Sequence, residues 1–304
     1  MKFGHIDSST LSAIDFALPT DTPATQKLLA SLSQPLQKPC IYIGCSVWAE
    51  RSFVGRLYPP GTAPRDYLRL YSQQLSTVEL NSTFYGIPSI ERVQKWQQSV
   101  TPGFKFCPKV PQHISHRNNL SAQLSGLDTF LTAILQLQDA LGVSLLQLPP
   151  YCSPSHMQAI QKLLEQVPEG LPWAVEFRHP AWFSDWVAQQ EMFDFLKQRG
   201  MVAAISDVAG RRDVLHQTLT TSCAFIRFKG YTAQSSNYTR LDAWIDRFHA
   251  WIAQGLQQIY LFLHEKNEAL CVDLALYVIR QLKQRGYPQL LLPGTAGVLT
   301  IYCF

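Results

Sequence analysis

Glu79 and Asn81 stand two apart in TVELNSTFYGIPS (77–89), a stretch that begins as a strand and breaks at Gly86 and Pro88. Residues two apart on a strand share a face, so a carboxylate and an amide point one way while Val78 and Leu80 point the other. A carboxylate on an otherwise apolar strand needs a partner, and both general acid/base chemistry and a buried ion pair supply one. The same situation recurs along the chain. Polar or ionisable residues close other apolar runs: Ser46 and Trp48, Lys109, Gln147, Glu176 and Arg178, Asp207, Arg227 and Lys229, His264 and Glu265. By the same period Glu176 shares a face with Arg178, and Arg227 with Lys229. Two carboxylates in different surroundings hold different protonation states, which makes Glu79 and Glu176 an acid/base pair with Asp207 assisting. Lys109, between apolar residues and Pro111, reads as an anion clamp or, once deprotonated, as a base or Schiff-base nucleophile. The catalytic candidates are therefore Glu79, Glu176, Asp207 and Lys109. Arg178, Arg227 and His116 suit a phosphate or carboxylate, because guanidinium forks match both anions. Asn81 and Gln147 would orient a substrate, and Trp48 would floor its pocket.

Plainer readings stand beside these. Glu176 and Arg178 can form a structural salt bridge, Asp207 can cap the following segment, and His264 can be a core histidine. His113 and His116 lie three apart in a polar loop, where solvation is the default. Cys45 and Cys107 read as small apolar filler. No metal-binding string such as H-E-x-x-H, and no Cys/His pair at zinc spacing, is present. Glu79, Glu176, Asp207 and His264 nevertheless come from four different strands, as barrel metal sites do, so a divalent metal is a candidate cofactor with these four as ligands.

What must position these residues is a repeat of short apolar runs and helical stretches. Strands are expected at 41–47, 77–81, 104–110, 143–149, 173–178, 202–207, 223–230 and 259–265. Helices are expected near 65–75, 90–100, 127–141, 155–166, 241–254 and 272–285, with a long amphipathic stretch ending at 199. Eight runs alternating with helices predict βαβ units and a parallel sheet. Eight units favour a closed (β/α)8 TIM-like barrel, whose functional residues gather at the carboxyl ends of the strands. A doubly wound nucleotide-binding sheet is the competitor, but no G-x-G-x-x-G or P-loop follows the first strand. Residues 1–39, rich in Ser, Thr, Pro and Gln, read as an N-terminal arm packed on a single barrel domain at 40–304.

Composition narrows the class. Hydrophobic residues make up 46% of the 304 positions and charged residues 16%, as in a soluble globular protein with a full interior. The net charge of +4, without a basic run, neither requires nor excludes a phosphate-bearing partner; a small polar or anionic ligand is expected from the strand ends, and nucleic acid receives little support. Seven cysteines, an odd number without a C-x-x-C pair, suit a reducing cytoplasm rather than a disulfide framework. No apolar run approaches the roughly 18 residues of a membrane span, and the start lacks the basic-then-apolar pattern of a secretion signal.

IGCSVW, LYPPGT, VELNSTFYGIPS, FKFCPKVPQHISH, LLQLPP, VEFRHPAWF and FIRFKGY, in that order from Ile43 to Tyr231, together resemble the YecE-like family, domain of unknown function 72. YLFLHE carries the resemblance to the eighth strand. It implies a TIM-like barrel and puts Glu79, Asn81, Lys109, His116, Gln147, Glu176, Arg178, Asp207 and Arg227 on motif positions, without implying a reaction. Cys45 departs from the first-strand motif, and the long arm is additional. The leading reading is an enzyme (a hydrolase, lyase or isomerase) using carboxylate acid/base chemistry on a small polar or phosphorylated substrate. A metal-dependent hydrolase or isomerase, phosphodiesterase- or nuclease-like, and a non-catalytic ligand-binding barrel are the alternatives.

Overall fold

A computed structural model describes residues 4, 11, 13–33, 38–117, 124–231 and 235–287. The remaining parts of the expected arm, of the loop after 112 and of the domain beyond 287 lie outside the described residues. The strands are β1 (Cys40–Cys45), β2 (Thr77–Leu80), β3 (Lys105–Pro108), β4 (Ser144–Gln147), β5 (Trp173–Glu176), β6 (Val202–Ala203), β7 (Ile205–Val208), β8 (Cys223–Lys229) and β9 (Gln258–His264). Helices begin where short polar side chains satisfy the first free amides. Ser89 accepts from Arg92 N ahead of Ile90–Ser99, Asp185 from Ala188 N ahead of Trp186–Gln198, and Asn267 from Ala269 N ahead of Glu268–Gln284.

Every ladder is parallel, and the fold is α/β. The strands form a six-stranded sheet in the order β3-β2-β1-β9-β8-β7 and a three-stranded sheet, β4-β5-β6. The ladders thus fall into two sheets where the sequence suggested one ring of eight strands. Two local causes are visible. The expected strand 202–207 divides at Ala204: β6 pairs with β5, β7 pairs with β8, and Ala204 N donates to Val175 O at 2.9 Å. Between β3 and β4 only isolated bridges remain, Phe106 to Leu141 and Lys109 to Leu145. Lys105 N and Lys109 N donate toward the β2 side, to Ser76 O and Leu80 O, whereas Val110 N donates to Leu145 O at 2.9 Å. Position 108 by alternation faces β4, and Pro108 has no N–H to give it.

Gly44 lets β1 approach β2, since a Cβ there would lie 1.9 Å from Thr77 O. Large apolar clusters fill the space between strands and helices. A further cluster is drawn chiefly from the strands of both sheets, including Tyr42, Cys107, Leu145, Ala174, Phe225 and Phe262. Among the described residues no helix is long and apolar enough to cross a membrane.

The described part of the arm lies against the domain. Helix Pro23–Ser31, capped by Thr22, buries Leu28 and Leu29. Thr25 Oγ1 donates to Gln217 O at 2.7 Å and accepts from Leu219 N at 2.8 Å. Asp21 accepts from Arg247 Nη1 at 2.5 Å and from Trp251 Nε1 at 3.1 Å. Hydrogen bonds to a charged group contribute about 1.5–3 kcal/mol. Asp21→Ala is therefore expected to lower chemical-denaturation stability by about that amount; an unchanged midpoint would mean that this contact contributes nothing to holding the arm.

Candidate functional site

The side chains of the inward cluster prepare the site. Cys107, Leu145, Ala174, Ala204, Phe225 and Phe262 belong to it, and Thr77 joins it through Oγ1, 3.7 Å from Cys107 Sγ. Two residues further along each strand, period two delivers Glu79, Lys109, Gln147, Glu176, Ser206, Arg227 and His264 to the same face. An apolar layer thus supports a polar one at the carboxyl ends of the strands.

Arg227 is the hub of that polar layer. Its Nε and Nη2 donate to the two oxygens of Glu79 at 2.7 and 2.8 Å, and its Nη1 donates to Glu176 Oε2 at 2.8 Å. Glu176 is held from four sides: besides Arg227, Arg178 Nε and Ser206 Oγ donate to Oε1 at 2.8 Å each, and Gln147 Nε2 donates to Oε2 at 2.7 Å. Both carboxylates are fully buried, and burial alone would raise their pKa. The charges of Arg227 and His264 on Glu79, and of Arg178 and Arg227 on Glu176, outweigh it and hold both well below the usual carboxylate range. Arg227 shifts upward: burial opposes its charge, and the two glutamates more than compensate. His264 Nε2 lies 3.5 Å from Glu79 Oε2 without a hydrogen bond among the described residues. Burial lowers its pKa against the pull of Glu79.

Lys109 stands apart from this pairing. Only 7% of it is exposed, and its Nζ sits 4.1 Å above the centre of the Phe84 ring. Among the described residues no carboxylate comes within salt-bridge range of it. Burial, and then the charge of Arg227, bring its pKa down to about 8 against the opposing pull of Glu79 and Glu176. His116 packs at right angles to the same ring, centroids 5.1 Å apart, and its Nδ1 is paired with Ser115 Oγ at 2.8 Å. Burial and the charges of Lys109 and Arg178 push His116 down to about 4, so it is neutral at physiological pH. Lys229, on the face of Arg227, is lowered by burial and by the fields of Arg178 and Arg227.

Three expectations need correction. Asp207 is not brought to the cluster. It alternates with inward Ser206, so its carboxylate points outward to Arg212 Nη1, to Arg240 Nη2 at 2.7 Å and to Trp244 Nε1 at 2.8 Å. Trp48 packs edge-on against Trp96 and Phe106, at 5.5 and 6.2 Å, on the helix side of the strands. Asn81 leaves the strand with φ −67° and ψ −21°, so the alternation that put it beside Glu79 stops at Leu80. Gln147 and Ser206 hold Glu176, and Ser206 went unpicked although Val202, Ala204 and Ser206 share one face by the same alternation. The four expected metal ligands do not converge, and among the described residues no group of three His, Cys, Asp or Glu side chains could hold a metal ion. Glu79 and Glu176 direct their oxygens at guanidinium, amide and hydroxyl donors, so this donor set does not fit a divalent cation.

A parallel α/β scaffold with a buried, guanidinium-linked carboxylate cluster at the carboxyl ends of its strands is the class defined by fold and site. The family model described as protein of unknown function DUF72 matches residues 42–295, and the chain belongs to that family. It is 31% identical over 252 residues to the UPF0759 protein YecE of Escherichia coli (strain K12), covering 77% of this chain and 89% of that one. It is 29% identical over 176 residues to the UPF0759 protein YunF of Bacillus subtilis (strain 168), covering 55% and 60%. The crystal structure of a DUF72 family protein from Enterococcus faecalis V583 superposes with a TM-score of 0.63 at 20% identity, over 81% of this chain and 99% of that one.

Proposed function

We propose that this chain is an enzyme that takes a small molecule bearing a carboxylate or phosphate at the carboxyl ends of its strands, with Lys109 as the group that changes protonation. Its scaffold, in this reading, is a single (β/α)8 barrel of which the two sheets are arcs. In support, side chains from both sheets share one interior cluster, and Val110 N donates to Leu145 O at 2.9 Å across the β3–β4 seam. Barrels of this kind carry their sites where the polar layer lies.

The observation that carries the functional reading is an ammonium that, among the described residues, has no carboxylate in salt-bridge range, beside a matched ion network. Glu79 and Glu176 are matched by Arg227 and Arg178, which among the described residues leaves Lys109 without a carboxylate of its own. An anion entering there gains a charge-assisted contact without displacing a carboxylate. The two glutamates, held ionised, fix Arg227 in place and are positioning residues, not proton donors. Proton transfer falls instead to Lys109, whose pKa of about 8 gives it both forms near neutrality. Moving a proton within a bound anion is chemistry of isomerases and lyases.

The test is calorimetric titration with small carboxylates, which themselves do not titrate between pH 6 and 10. An anion favours the charged form of Lys109. Affinity is therefore expected to be flat below about pH 8 and to fall above it, by up to tenfold per unit. Lys109→Arg should remove the fall, and Lys109→Ala should weaken binding at pH 7. Carboxylates and phosphates that bind neither protein, or bind both alike at every pH, would sink the reading.

A further inference from the structure

We propose that the small anion carries an aldehyde or ketone, and that Lys109 forms an imine with it. This rests on the reading that the polar layer binds an anion and goes on to name the substrate class and the bond made.

The geometry separates Lys109 from the other cations of the site. Arg178 and Arg227 each donate to a buried carboxylate at 2.7–2.8 Å, and such a guanidinium serves as a fixed charge. Lys109 has no such partner among the described residues. Its amine is held over the Phe84 ring, at the inward end of β3, with 7% exposure. A lysine whose task was a structural ion pair would face one of the two glutamates, and here Arg227 occupies both. Its main chain is also pinned: Thr83 Oγ1 donates to Lys109 O at 2.7 Å and accepts from Lys109 N at 3.0 Å. A fixed base, a buried stem and the fixed guanidinium groups of Arg178, just past β5, and Arg227, on β8, present the nitrogen to one position. A desolvated amine next to other cations is how lysine nucleophiles are activated. Burial and Arg227 leave a substantial neutral fraction at physiological pH.

The step balances without an external oxidant or reductant. The neutral amine adds to the carbonyl carbon, a C–N bond forms, and the carbonyl electron pair moves to oxygen. That oxygen takes a proton as the nitrogen loses one. The resulting hydroxyl then leaves as water while nitrogen closes the C=N bond. Amine and carbonyl compound give imine and water.

The experiment is reductive trapping of the full chain. The protein is incubated with pyruvate, glyoxylate or glyceraldehyde 3-phosphate in the presence of cyanoborohydride, whose hydride reduces the imine to a secondary amine. Peptide mass mapping then locates the adduct, which adds the mass of the compound less one oxygen atom. The expected result is one modified residue, Lys109, with labelling at least tenfold faster than at any other lysine and, at saturation, faster as pH rises. Lys109→Arg, which keeps the charge and so the fold, should lose it. Acetaldehyde, which lacks the anion, should label surface lysines indiscriminately. Lactate, which lacks the carbonyl, should bind in calorimetry and slow the labelling by pyruvate. Labelling spread over surface lysines, or absent with all three compounds, while lactate still binds, would overturn the imine and leave the anion site standing. Absence of lactate and phosphate binding as well would remove the proposed function itself.

Discussion

Arg227→Met is expected to lower the folding free energy by about 3–5 kcal/mol at neutral pH, the loss that follows when one partner of a buried ion pair is removed. The guanidinium makes three hydrogen bonds of 2.7–2.8 Å to two carboxylates that are themselves fully buried. Methionine fills much of the volume and neutralises neither of them. Arg178, Gln147 and Ser206 still hold Glu176, but Glu79 keeps only His264 at 3.5 Å, without a hydrogen bond. Glu79→Gln added to Arg227→Met should therefore recover part of the loss, and that recovery identifies a stranded charge as its cause. The pH dependence has a definite sign. In the wild type both carboxylates titrate below their unfolded values, so the stabilisation is present above about pH 4.3 and fades as pH falls through the folded values. In the variant, burial raises the Glu79 pKa, so its penalty is largest at neutral pH and shrinks as the acid protonates. Both trends narrow the gap in acid. Urea titrations at pH 7 and pH 4 measure it, and a gap that is constant or wider at pH 4 would contradict the role given to Arg227.

Much of this site was legible in the alternation of single strands. Lys109, Gln147, Glu176, Arg227 and His264 follow apolar inward residues by two and Glu79 follows Thr77, and the sequence shows that spacing directly. The alternation failed where the strand ended or divided. Asn81 stands one residue past β2, in helical backbone, and Trp48 lies in the loop after β1. At VAAISD the last residue looked like the functional one because it carries the charge, yet the inward parity belongs to Ser206. Which acid meets which base was not legible at all. Glu79 and Arg227 are 148 residues apart, and only the folding of strands toward one another joins them. The two-sheet arrangement turns on particulars of equal subtlety: the missing amide of Pro108 and the change of partner at Ala204. One helix start was clear: the helix expected near 90 begins at Ile90, after Ser89. The helix Ser235–Ala253 begins six residues ahead of the expected 241, at a stretch of Ser, Ser, Asn, Tyr and Thr with weak helical preference.

The outward network around Asp207 provides the complementary experiment, because it separates scaffold from site. Asp207→Asn is expected to destabilise the chain by about 3–5 kcal/mol while leaving anion affinity within about twofold at temperatures where it remains folded. The cause is Arg240, 1% exposed, whose Nη2 is 2.7 Å from Asp207 Oδ1. Its other acceptors, Asp207 O at 3.0 Å and Lys229 O at 3.2 Å, are neutral carbonyls, and its Nε has no partner among the described residues. The rings of Phe228 and Phe16, 4.2 and 5.1 Å away, soften that burial but do not neutralise it. Removing the carboxylate charge leaves a guanidinium buried without a counter-ion, so Asp207→Asn/Arg240→Met should be more stable than Asp207→Asn alone. The same substitution loosens the arm. Arg212 pairs with Asp207 and also donates to Phe16 O at 3.2 Å and Ala17 O at 2.9 Å, so its release should open the segment around Phe16 to limited proteolysis. Were Asp207 a proton-transfer residue or a ligand of the bound anion, as its sequence position suggested, affinity would fall with little change in stability. That pattern, seen together with an uncleaved arm, would return Asp207 to the site.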